Sequence, residues 1–178
     1  MGAARRIVVG VHGSLGSLQA LRWATEEARD RRVPLLAVIA WIPPGGDFAE
    51  RSHPSPYLRG IWQEAARDRL TGAFDECFGG LPEDVGVRAR VERGEAGQVL
   101  VDVADEPDDL LVIGTGRRNP VSRALRRSVG RYCLAQAKCP VIAVPPSALM
   151  DELGHSWLRP RSWSRHGLDD SRGVLGLS

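Results

Sequence analysis

Five short apolar runs, at residues 7–11, 35–40, 87–91, 110–113 and 141–144, set the narrowest limit on how this chain folds. Most are β-branched and bounded by Gly or Pro, the pattern of strands buried on both faces. Between them the apolar period changes to that of helices. Leu18, Leu21, Ala24 and Ala28 keep one helical face after a Ser17 cap, and Trp62, Ala66, Leu70, Phe74 and Cys77 do the same in the second interval. Ala96, Val99, Leu100 and Val103 form a third face, and Val121, Leu125, Val129 and Tyr132 a fourth. Strands that alternate with helical crossovers call for a parallel sheet, because each right-handed crossover returns over the sheet. The expected fold is α/β, an open doubly wound, Rossmann-like sheet with helices on both faces.

A chain of 178 residues holds one such domain and leaves no room for another of ordinary size. The domain is expected over residues 1–146. Beyond Pro145-Pro146 the pattern changes: Leu149, Leu153 and Trp157 allow one short amphipathic helix, and the rest has no usable period. Residues 147–178 therefore read as a C-terminal tail, flexible or with one short helix, and an interaction module built on it is one alternative for function. The segment 42–57, with Pro-Pro-Gly-Gly and two further prolines, reads as a long irregular connection at the carboxyl end of the second strand.

A formal net charge of +2 gives no electrostatic argument for nucleic acid or membrane partners. Lys138 is the sole lysine, so the abundance of arginine reflects codon bias as much as guanidinium chemistry. The first apolar run is broken by Gly10, too early for a signal core or membrane span, and a cytoplasmic protein is expected. Cys77, Cys133 and Cys139 lack metal-ligand or CxxC spacing and read as reduced, mostly buried thiols. Asp102, Asp105, Asp108 and Asp109 form an acidic run without EF-hand spacing or a nearby His, and read as a solvated helix end and turn.

Ligands of open parallel sheets bind beyond the carboxyl ends of the strands, where the winding direction reverses. The first run is followed by His12-Gly13-Ser14 and the fourth by Gly114-Thr115-Gly116. If these strands are neighbours, their loops face each other, with helix N-termini offering N–H groups to an anion. Ser14 has no Gly-x-Ser-x-Gly elbow around it, so Ser14 and Ser17 are assigned to helix entry rather than catalysis. His12 reads either as a hydrogen-bonded structural residue or as a group titrating near neutral pH beside a phosphate.

The stretches RIVVGVHGSLGSLQALRWATEEA, LLAVIAWIPP and LLVIGTGRRNPVSRALRRSVGRYCLAQAKCPVIAVPP resemble the universal stress protein family over about residues 5 to 146. The resemblance implies a five-stranded parallel sheet in the order 3-2-1-4-5 and a homodimer formed through the last strand, Val141–Val144. It also implies a division between members that bind ATP and members that do not. ATP-binding members carry a Gly, two residues, a second Gly, nine residues, a third Gly and then Ser or Thr. Without gaps, these positions fall on Gly114, Arg117, Arg127 and Ser128, so two of the three glycines are arginine. A long side chain at Arg117 obstructs a cradle that depends on close backbone approach, while Gly116 offers freedom one residue early. The family's acidic residue after the first strand is His12 here, and the position that meets adenine is Ala40.

The candidate nucleotide- or anion-binding set is thus His12, Ala40, Gly114, Gly116, Arg117, Arg127, Ser128 and Val129. Together with Arg118, Arg123, Arg126 and Arg131, these arginines either hold another anion or line an exposed helical face. The leading expectation is a non-enzymatic, dimeric stress-response protein whose ATP binding is weakened, lost or replaced by another anion. The alternative is an ATP-binding or slowly ATP-hydrolysing member in which Arg117 and Arg127 clamp the phosphates.

Overall fold

The computed structural model of the chain describes residues 4–46, 54–115 and 129–146. The order of elements is β1 (Arg6–Gly10), α1 (Leu15–Arg31), β2 (Leu35–Trp41), α2 (Pro56–Phe78), β3 (Val87–Arg93), α3 (Ala96–Val103), β4 (Asp109–Gly114), α4 (Val129–Gln136) and β5 (Val141–Val144). All four strand pairings are parallel, in the order β3-β2-β1-β4-β5. The expected doubly wound sheet is present. The reversal of winding falls between β1 and β4, where Val9 pairs with Val112.

The apolar runs are continuous where both faces are covered. Side chains alternate across a strand, so Ile7 and Val9 enter one layer and Val8 the other. The larger layer packs Leu18, Leu21, Ala24 and Ala28 of α1 and Ala66, Leu70, Ala73 and Phe74 of α2 on the sheet. The smaller layer packs Val99, Leu100 and Val103 of α3 and Cys133 of α4 on Val8, Val38, Leu111 and Ile113. β3 departs from this pattern because it is an edge strand. Arg88 and Arg90 stand exposed along it, and Arg93 lies 6.0 Å from the Trp41 ring centroid.

Three sequence expectations are corrected. The cap of α1 is Ser14, not Ser17: Ser14 is extended at φ −85° and ψ 157°, and its Oγ accepts the Ser17 N–H. Ser17 lies in the first turn, where its Oγ donates to Ser14 O at 2.9 Å and accepts the His12 N–H at 3.3 Å. The acidic run is not wholly solvated either, since Asp109 opens β4 in register with Arg6 and is only 2% exposed. Its Oδ1 accepts Arg6 Nε at 2.9 Å and its Oδ2 accepts Nη2 at 2.6 Å. The Glu106 N–H also donates to Oδ2, and Arg6 Nη2 reaches Val103 O at the end of α3. That hydrogen bond to Asp109 chiefly raises the Arg6 pKa. The charge is paired and hydrogen-bonded, the condition for burying a carboxylate.

The connection after β2 ends sooner than residue 57. Ser55 accepts the Leu58 N–H and Pro56 occupies the start of α2, where a missing N–H costs nothing. Cys133 and Cys139 are buried, Cys77 is half-buried, and all three thiols are free. No described helix is long and apolar enough to cross a membrane.

Candidate functional site

The site is built where β1 and β4 end side by side. After β1, the Val11 N–H bonds Val38 O at 2.8 Å, which carries the chain along the end of β2 before it turns at Gly13, φ 82°. Positive φ favours glycine at that turn. His12 is exposed, with Nε2 3.2 Å from Ser14 Oγ. One short segment therefore joins the imidazole, the Ser14 cap and the Ser17 hydroxyl to the first turn of a 17-residue helix. The positive end of that helix dipole lies beyond the carboxyl end of β1.

Gly114 forms the opposite wall. A Cβ on it would stand 2.2 Å from Gly16 O and 2.8 Å from Ser17 N, so the end of β4 rests directly on the first turn of α1. No positive φ is involved. Space demands this glycine, and the fold alone accounts for it whether or not a ligand binds. Gly16, the other half of the contact, was not singled out in the sequence, because a steric contact between segments 98 positions apart leaves no local pattern. Thr115 then fixes the exit of β4, its N–H and its hydroxyl both donating to Val144 O, at 2.8 and 3.1 Å.

The structure brings His12 and Gly114 together around Ser14, Gly16 and Ser17. Ala40 is half-buried near the end of β2 and packs against the smaller core layer. Val129 also packs there, at the start of α4, so its observed role is in the interior. Gly116, Arg117, Arg127 and Ser128 lie outside the described residues, as do Arg118, Arg123 and Arg126; Arg131 is exposed on α4. Among the described residues no group of His, Cys, Asp and Glu has the arrangement of a metal site.

A model of the universal stress protein family matches residues 3–145. A universal stress protein of Mycobacterium tuberculosis is 30% identical over 141 residues, which cover 77% of this chain and 47% of that protein. The chain thus spans about half the length of the curated relatives it matches. A universal stress protein solved in complex with cAMP is 26% identical, with a TM-score of 0.52 over 82% of this chain and 100% of that one. One from Archaeoglobus fulgidus is 27% identical, with a TM-score of 0.54 over 81% of this chain and 99% of that one.

Proposed function

The chain belongs to the universal stress protein family, and from that membership we infer that it is a non-enzymatic stress-response protein of the cytoplasm. Its crevice takes an adenine mononucleotide in preference to ATP. The observation that carries this reading is the uneven state of the two walls. On the β1 side, a capped helix start with His12 and Ser14 at its mouth offers a place for one phosphate. On the β4 side, Arg117 and Arg127 stand where a triphosphate cradle has glycine, while the retained Gly114 is explained by its packing on Gly16. The solved relative that binds cAMP, at 26% identity, supports a ligand with a single phosphate.

Titration calorimetry with cAMP, AMP and Mg-ATP tests this. The expected result is micromolar binding of a monophosphate and at least about tenfold weaker binding of ATP, a difference of about 1.4 kcal/mol. Silence with all three ligands would remove the nucleotide reading. Tight ATP binding that disappears in Arg127→Ala would instead establish the arginine clamp. Replacing Arg117 and Arg127 together by Gly is expected to strengthen ATP binding; a folded variant that stays inert shows that glycine loss is not the obstacle.

The same reading includes a homodimer through β5. That strand, VIAV, is an edge without a charged side chain, and Ala143 is exposed on it. Unpaired edges of this kind add a strand readily.

A further inference from the structure

β3 is an edge strand whose outer backbone is unpaired. Its seven residues pair with Leu35–Trp41 in unbroken register, so the strand has no bulge, and it contains no proline. The Leu35 N–H donates to Gly86 O at 3.1 Å, and the Gly94 N–H donates to Trp41 O at 2.9 Å. Backbone groups along a parallel strand point to alternate sides, so the even-numbered residues from 86 to 94 use theirs on β2. Val87, Ala89 and Val91 turn theirs off the sheet, where no described residue bonds them. A row of such groups is a template for one more strand.

Charge selects what can join. α2 packs on the face of the sheet that Val87 and Val91 enter. On the opposite face α3 packs over β1 and β2 and leaves Arg88 and Arg90 exposed. There Arg6, Pro34, Leu36, Arg88 and Arg90 line an open hollow of about 310 Å³. Arg90 Nε donates to Glu92 Oε1 at 2.6 Å, so part of that charge is answered within the strand. Arg88 has no ion pair with any described residue. The strand holds three arginines against one glutamate, a net charge of +2. A second β3 laid antiparallel on it would set arginine against arginine, and like charges facing each other across strands destabilise the pair. The same charge that shuts this flank to copies of the chain favours a strand bearing carboxylates. Alternate residues of a strand share one face about 6.8 Å apart, and an added strand lies about 4.8 Å away, so acidic residues at alternate positions would face Arg88 and Arg90 in turn. We propose that the β3 edge takes an extended acidic segment of a partner protein as an added strand, its backbone bonded to Val87, Ala89 and Val91 and its carboxylates beside Arg88 and Arg90.

Fluorescence anisotropy with the full chain, without nucleotide, tests this with three labelled peptides. One is Glu-Val-Glu-Val-Glu-Val, one has Lys in place of Glu, and one is the glutamate peptide N-methylated at every residue, which keeps its charge and removes its backbone donors. The glutamate peptide is expected to bind and the other two are not. Arg88→Glu combined with Arg90→Glu is expected to weaken the glutamate peptide at least about tenfold and to admit the lysine peptide. Arg88→Gln, which adds no charge, is expected to weaken it about threefold and serves if the reversed variant does not fold. No binding of the glutamate peptide at about 1 mM would overturn the proposal. So would equal binding of the N-methylated peptide, since charge alone would then account for it, or affinity unchanged by both sets of substitutions.

Discussion

Gly114 illustrates how a residue that fits a ligand motif can be held in place by something else. The space a Cβ would need is taken by the Gly16 carbonyl, backbone against backbone, and neither side chain exists to give way. Gly114→Ala is expected to cost about 1–3 kcal/mol in urea unfolding, as overpacking of a tight contact does. An unchanged midpoint would show that the two segments separate easily. Cys133 supplies a second residue-scale prediction. Burial pushes its thiol from 9.0 up to about 11. The native state therefore resists ionisation that the unfolded chain accepts, so stability is full below about pH 9 and is lost as pH rises toward 11. Stability should decline by on the order of 2 kcal/mol over that window, and Cys133→Ala should flatten the slope; an equal decline in both proteins would place the cause elsewhere.

The elements were legible in the sequence wherever one physical demand acted alone. β1, β2 and β4 show as unbroken apolar runs because helices cover both faces, and the α1 face reads directly from Leu18, Leu21, Ala24 and Ala28, all buried. β3 runs on to Arg93, past the last apolar residue read as strand, because its open face accepts arginine. In α2 the series from Trp62 to Cys77 reads as one face and packs on one core layer, with Ala66, Leu70 and Phe74 buried and Trp62 and Cys77 half-buried at its ends. Ser14 and Ser17 stand three residues apart at the start of α1, and backbone angles tell the extended cap from the residue in the first turn. The Arg6–Asp109 pair was unreadable because its partners lie 103 positions apart. At the site, His12 and Gly114 were found as the residues that follow the first and fourth strands where the winding reverses, whereas Gly16 answers to tertiary space. One test belongs to an element: Ala143→Lys should place a charge in the proposed β5 pairing and yield a monomer by light scattering, with unchanged circular dichroism. A persistent dimer would move the interface off this strand.

Across the whole molecule, the ion pair and the candidate site lie at opposite ends of the strands. The amino edge of the sheet is tied by Arg6 to Asp109, Asp105 and the Val103 carbonyl. The carboxyl edge holds the His12 segment, the Gly114–Gly16 contact and the start of α2, so substitutions at the candidate site leave the ion pair untouched. The sheet's two sides are just as unlike. Arg88, Arg90 and Arg93 line β3, whereas β5 offers an uncharged strand of four residues. A subunit that can be joined on one flank and not on the other is a chain terminator as well as a monomer. Under the proposed pairing, the first encounter uses up the sole reactive flank, and assembly halts at two copies instead of growing into a fibre.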